Sequence, residues 1–224
     1  MALDPEAITD AAMAVLDEVG LDKLSMRAVA ERLGVQVGGL YYHVSGKQAL
    51  LRAMADRLCQ RALESGPGSS RPMAALTSGW QAEAAALCQA VRRAMLASRD
   101  GARLLLEGPL LGSTGALEVM ERMLAALARS GLTGRSVRIG ADALMSYVTG
   151  FVLQEQLALA VTPPRPQEVA DLAGRFPLVF GSHGDLGGIA SDDLFISSIG
   201  VFLTGLSAGA PHDPGTDRSR RRTR

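Results

Sequence analysis

The 224-residue chain is 47% hydrophobic and only 4% aromatic, enough apolar material to bury one small and one larger helical core. Its 23 Lys and Arg residues balance 23 Asp and Glu residues, so any attraction to a polyanion must come from a local surface and not from the chain as a whole. Two cysteines without metal-ligand spacing, Cys59 and Cys88, and the absence of a signal peptide lead us to expect a reducing, cytoplasmic compartment. Both thiols are expected as small buried hydrophobes on helices, with a thiol sensor as the alternative. The most apolar run, residues 195–209, falls short of the ~20 residues that a membrane span needs and reads as a core helix.

In chain order, Asp4, Pro5 and Glu6 open a first helix as cap, first-turn proline and acid at the positive dipole end. Ile8, Ala12, Val15, Leu16 and Val19 form its buried stripe, and Gly20 ends it. Ser25 then caps a helix carrying Met26, Val29, Ala30 and Leu33 at three-and-four spacing. Gly34 stops that helix, with Val35 packing back beneath the turn. A short helix follows from about Gln36, with Leu40 and Val44 inward and Gln36, Val37, Gly39, Tyr41, Tyr42, His43 and Lys47 left for the other faces. An exposed helix with aromatic and hydrogen-bonding groups suits a DNA major groove flanked by phosphates. After Ser45 and Gly46 a fourth helix spans residues 47–63, buried through Leu50, Leu51, Met54, Leu58 and Leu63. Between Arg27 and Arg61 the chain carries Arg27, Arg32, Lys47, Arg52, Arg57 and Arg61 against Glu31 and Asp56, a local basic surface able to neutralise phosphates.

The glycine, proline and serine run at residues 66–70 is the clearest linker and separates a unit at 1–65 from a body at 66–209. The body should open with a helix over residues 72–98, with Leu76, Trp80, Ala84, Leu87, Val91 and Met95 at helical spacing. After the run at 98–106, Gly108 and Pro109 break the chain. A helix follows over 117–128, ended by Gly131, and then the longest, over 137–160. Gly140 and Gly150 inside that helix cost on the order of 1 kcal/mol each against alanine, which implies a close helix contact in return. Gly200 and Gly205 in a last helix over 193–207 imply the same. The two helices are the candidate dimer interface, and intrachain packing is the alternative. Residues 162–188, rich in Pro and Gly, should be mobile in part, with a short helix over 167–173. The tail, 210–224, is expected to be disordered; its five arginines could add weak phosphate affinity or be a solvated end.

The series D-E-V-G, S-M-R-A-V-A-E-R-L-G-V, L-Y-Y-H-V and K-Q-A-L-L, within residues 17–51, closely resembles the DNA-binding domain of the TetR family of regulators. Arg99, Asp100 and Gly101, with the apolar residues after them, resemble the effector-binding body of its tetracycline-responsive members. The resemblance implies an all-α fold, with a three-helix helix-turn-helix head on a larger dimer-forming bundle and the fourth helix linking the two. It implies a double-stranded operator as partner and DNA contacts from Arg27, Gln36, Val37, Gly39, Tyr41, Tyr42, His43 and Lys47, with Tyr41 and Lys47 on phosphates and Arg27 at a guanine edge. Val37, Gly38 and Gly39 replace bulkier polar residues of those members, so the operator should differ.

Tetracycline-responsive members hold a magnesium chelate through a histidine and a water-linked glutamate. Alignment through residues 99–102 puts Leu105 at the histidine and Gln154 at the glutamate, and a leucine cannot coordinate a hard cation. The resemblance therefore implies no metal or cofactor. It implies an apolar cavity walled by Leu63, Leu87, Val91, Leu105, Met120, Met123 and Phe151, with Gln154 as polar anchor, for a hydrophobic small-molecule effector. The same spacing also describes a filled core, and a regulator whose body binds only a protein stays open. An enzyme is the rival class, but there is no glycine-rich phosphate loop or nucleophile elbow, and His43, His183 and His212 are scattered.

Overall fold

The computed structural model describes residues 3–65, 79–108, 112–132, 134–159, 162, 165–180 and 191–208. Among these the chain is all-α, with eleven α-helices, one short 3-10 turn and no strand. The linker at 66–70, the tail at 210–224 and the first turns expected of the body helix lie outside the described residues.

The head consists of α1 (Pro5–Val19), the 3-10 turn Leu21–Lys23, α2 (Met26–Leu33) and α3 (Val37–His43). Each boundary has a chemical cause. Asp4 Oδ1 accepts from the Ala7 amide at 2.7 Å, and Ser25 Oγ accepts from the Ala28 amide at 3.1 Å. Gly34 closes α2 in the left-handed region at φ 68°, which lets the Val35 amide donate back to the Ala30 carbonyl at 3.0 Å. Ile8, Leu16, Leu21, Leu24, Val29 and Leu40 meet in one buried cluster beneath these helices.

The body consists of α4 (Lys47–Glu64), α5 (Gly79–Leu96), α6 (Gly101–Glu107), α7 (Thr114–Ala128), α8 (Arg135–Ala158), α9 (Pro166–Arg175), α10 (Pro177–Phe180) and α11 (Ser191–Ala208). Helix α7 begins three residues before the expected 117 because Ser113 is its cap. The Ser113 hydroxyl accepts from the Ala116 amide at 3.2 Å and donates to Asp56 Oδ1 at 2.8 Å, and the Gly115 amide donates to the same carboxylate oxygen at 2.6 Å. Asp56 thus anchors the positive end of α7 to α4. The expected short helix over 167–173 is present as α9, while α10 was not anticipated. No described helix is long and apolar enough to cross a membrane.

Helix α4 belongs to both units. Leu50, Leu51, Met54 and Leu58 enter the head core, whereas Ala55, Cys59 and Ala62 enter the body core. The body also reaches into the head through α6. Successive residues of a helix point about 100° apart, and three consecutive leucines use that rotation: Leu104, 0% exposed, completes the head core; Leu105, 8% exposed, joins the body core; Leu106 is 61% exposed.

Candidate nucleic-acid interface and ligand cleft

Helix α3 touches the rest of the head through Leu40, fully buried, and Val37, half-buried against the same cluster. Its remaining side chains face outward. Gln36, Tyr41, His43, Lys47 and Arg27 are all exposed, and Tyr42 is 89% exposed with its ring edge-to-face on His43 at 5.3 Å. A Cβ added at Gly38 or Gly39 would meet nothing within 4 Å, so the start of α3 is an open backbone surface that another molecule can approach closely. Of the eight residues expected at DNA, seven are exposed, and Val37 is half-buried against the head core. The basic surface is narrower than the sequence implied: Arg32 is paired with Glu18, and Arg57 with Asp10 at 3.3 Å.

The Arg99–Asp100–Gly101 run, read from sequence as part of an effector-binding body, forms the joint between body and head. Asp100 Oδ2 accepts from the Leu21 amide at 2.8 Å, and the Arg99 amide donates to Asp17 Oδ1 at 2.9 Å. The Arg99 guanidinium donates to the Glu18 carbonyl at 3.0 Å, and Arg103 to Asp22 at 2.8 Å. The hydrogen bond and charge of Arg103 hold the Asp22 carboxyl below its ordinary range. The turn is tight. Asp100 is the one non-glycine residue with positive φ, 57°, among the described residues, and a Cβ on Gly101 would lie 2.1 Å from the Met95 carbonyl oxygen.

A cleft of about 270 Å³ opens where α4, α5 and α7 meet. Ala62 and Leu63 come from α4; Glu83, Ala86, Leu87 and Ala90 from α5; Arg122, Ala125 and Ala126 from α7. Small alanine side chains leave the space, and Glu83 and Arg122 give it a polar rim in which each is ion-paired, to Arg129 and Glu118 respectively. Two of the expected wall residues, Leu63 and Leu87, line the cleft. Val91, Met123 and Leu105 are buried in the body core, with Met120 and Phe151 packed against it. Gln154, expected as the polar anchor, is exposed, and no residue of α8 lines the cleft; the polar side chains that α8 turns toward α5 are Glu155 and Gln156.

Sequence reasoning missed those two residues and Arg92. Arg92 on α5 is 7% exposed. Its Nε and Nη2 grip both oxygens of Glu155 on α8, at 2.8 and 2.6 Å, while Nη1 donates to Asp192 on α11 at 2.6 Å. Its guanidinium lies 4.9 Å from the ring centre of Phe195. Burial opposes the charge, but the hydrogen bonds and charges of Glu155 and Asp192 outweigh it and hold Arg92 firmly protonated. The available signal was a charged residue, Arg92 or Glu155, inside an otherwise apolar helical stripe. Both cysteines are buried, and burial pushes each thiol up to about 12. Among the described residues no three His, Cys, Asp or Glu side chains are grouped to hold a metal ion.

Comparison with known proteins gives this geometry a context. Residues 8–54 match the pattern described as bacterial regulatory proteins, tetR family, and residues 73–209 match the tetracyclin repressor-like C-terminal domain. The chain is 32% identical over 206 residues to the class A tetracycline repressor protein from transposon 1721 of Escherichia coli, covering 92% of this chain and 91% of that protein. It superposes on the Streptomyces coelicolor TetR family protein ActR in complex with (S)-DNPA with a TM-score of 0.73, 29% identity and coverage of 94% and 100% of the two chains. BioQ bound to its natural double-stranded DNA operator gives a TM-score of 0.64 at 26% identity, covering 93% of this chain and 100% of the other. An exposed helix-turn-helix surface on α2 and α3, a body joined to it through α4 and α6, and these matches along nearly the whole chain lead to one assignment: this protein belongs to the TetR family of DNA-binding transcriptional regulators.

Proposed function

We propose that the chain is a repressor that binds a pseudo-palindromic operator as a twofold dimer and is released by a largely hydrophobic, metal-independent small molecule seated between α4, α5 and α7. The observation that carries this reading is the cleft itself. It is built against α4, the helix whose other half is part of the head core, so a ligand wedged there acts directly on the element that joins the two units. Its volume, about 270 Å³, lies just below the ~300–1,000 Å³ typical of ligand pockets, which favours a compact effector. Alanines and leucines supply apolar contact, and Glu83 and Arg122 supply polar groups at the mouth. Leu105, a hydrocarbon buried in the body core, offers no ligand to a divalent cation. The solved relatives bound to a small molecule and to an operator support both halves of the reading.

The dimer reading rests on outward apolar faces. Ile139 and Leu157 on α8 and Val201 on α11 are exposed, and a Cβ on Gly150 or Gly205 would meet nothing within 4 Å. Gly140 differs: its Cβ would meet Leu206 at 3.3 Å and Leu127 at 3.4 Å, so that glycine serves packing within the chain. Two heads on one axis match two half-sites about one helical turn or more apart.

The test is to titrate the protein–operator complex with a panel of polycyclic and amphipathic small molecules, once with EDTA and once with magnesium. Release in EDTA, abolished by Leu87→Arg without loss of operator affinity, is the expected result. Release that requires magnesium overturns the proposed lining.

A further inference from the structure

We propose that Gln156 is a positioning residue through which α8 sets the angle of the DNA-reading head. Its half-buried amide spans both sides of the turn between α5 and α6. Oε1 accepts from the Ala102 amide at 3.1 Å, and Nε2 donates to the Met95 carbonyl at 3.2 Å and the Ser98 carbonyl at 2.9 Å. The site therefore presents one donor and two acceptors. A neutral primary amide satisfies all three: a carboxylate would face two carbonyl oxygens, an ammonium would face an N–H, and a thioether would leave the Ala102 N–H without its partner and the Met95 and Ser98 carbonyls with only the backbone amides of Ser98 and Gly101.

The opposite face of the same turn holds the head. Asp100 accepts from the Leu21 amide, and Arg99 bonds to Asp17 and to the Glu18 carbonyl. Between these contacts the backbone has little freedom to give, since Asp100 is left-handed and Gly101 touches the Met95 carbonyl. A shift of α8 is therefore carried through the turn to the end of α1. The neighbouring residue, Glu155, fixes the register of α8 against α5 through Arg92, and Arg92 in turn binds Asp192 on α11. Adjacent side chains on α8 thus tie the packing of α8 and α11 to the joint of the head. The consequence for two heads on an operator rests on the dimer proposed above; the joint itself lies within one protomer.

The experiment measures amide exchange by NMR in the full chain, at Leu21 and Ala102 on the proposed path. Val29 in the head and Leu117 in the body, bonded to the Ser25 and Ser113 carbonyls, serve as controls. Gln156→Met keeps the shape and removes the hydrogen bonds; Gln156→Asn keeps the amide but shortens its reach, and covers the case in which the first variant does not fold. The expected result is exchange about tenfold faster at both Leu21 and Ala102, less for Gln156→Asn, with Val29 and Leu117 unchanged. Affinity for an operator selected by the wild type from random duplexes should fall about tenfold, with affinity for random duplex held. Faster exchange at Ala102 alone, or an equal rise at all four amides, overturns the proposal; faster exchange at both Leu21 and Ala102 with unchanged operator affinity counts against the two-headed dimer instead. The exchange readings decide it whatever the oligomeric state, so failure of the dimer reading and failure of this one are distinguishable.

Discussion

Leu104→Ala should cripple the head although residue 104 lies in the body, more than forty residues beyond the last turn of the linking helix's head contacts. Leu104 is fully buried in the cluster formed by α1, α2, α3 and α4. Truncation to alanine removes about three carbons' worth of burial, roughly 2.4 kcal/mol at ~0.8 kcal/mol each, and the cavity left behind brings the total to about 3–5 kcal/mol. For a chain of this length that corresponds to a Tm loss of about 10 °C. Leu106→Ala, two residues on and 61% exposed, should change stability by less than about 0.5 kcal/mol. Urea unfolding followed at Trp80, the single tryptophan, half-buried against the body core, gives the global cost. Exchange at the Val29 amide gives the cost to the head. Equal costs for the two variants, or intact Val29 protection in Leu104→Ala, would show that α6 does not complete the head core.

Other outcomes follow from the same geometry. Arg92→Ala leaves Glu155 without its partner and should cost about 3–5 kcal/mol, whereas Arg92→Met with Glu155→Leu should be nearer neutral; urea midpoints compare them. Cys59 and Cys88, pushed up to about 12, hold only about 10⁻⁴ of their population as thiolate at pH 8, so iodoacetamide should modify them only after unfolding, as mass spectrometry will show. The Asp22 carboxyl titrates lower in the folded chain than its ordinary 3.8, so the contribution of its bond to Arg103 is complete above that value and lost as pH falls through the lowered one. Carboxyl-detected NMR titration checks this, and Arg103→Met should return Asp22 to the ordinary range.

The head was legible because its boundaries are local. Asp4, Ser25 and Gly34 each act on backbone groups three to five residues away, a distance over which sequence pattern reports directly. The exposed side of α3 was legible for the same reason, since Leu40 fixes which face is buried. What the pattern could not supply was partnership across the chain. Arg92 meets residues 63 and 100 positions away, and Asp100 meets Leu21 from 79 positions away. Nor does a run of three leucines declare that one belongs to the head, one to the body and one to solvent; that depends on where α6 sits between the two cores. Gln154 was expected inward by alignment, but it is exposed; the residues of α8 that face inward there are Glu155 and Gln156, which bind Arg92 and the α5–α6 turn and not the cleft. Only two of the seven expected wall residues, Leu63 and Leu87, line the cleft, because its space comes from alanines, which carry no periodic signal distinct from a packed core.

The most direct measurement of the DNA-reading claim is the salt-dependent affinity of wild type, Arg27→Ala and Lys47→Ala for a selected operator and for a random duplex. Arg27→Ala should lose about 1–3 kcal/mol on the operator through one relaxed base pair and little on random duplex. Lys47→Ala should lose similarly on both, with a salt slope smaller by about one. Equal losses from both variants on both duplexes would contradict a head in which α2 reads bases while the start of α4 holds phosphate.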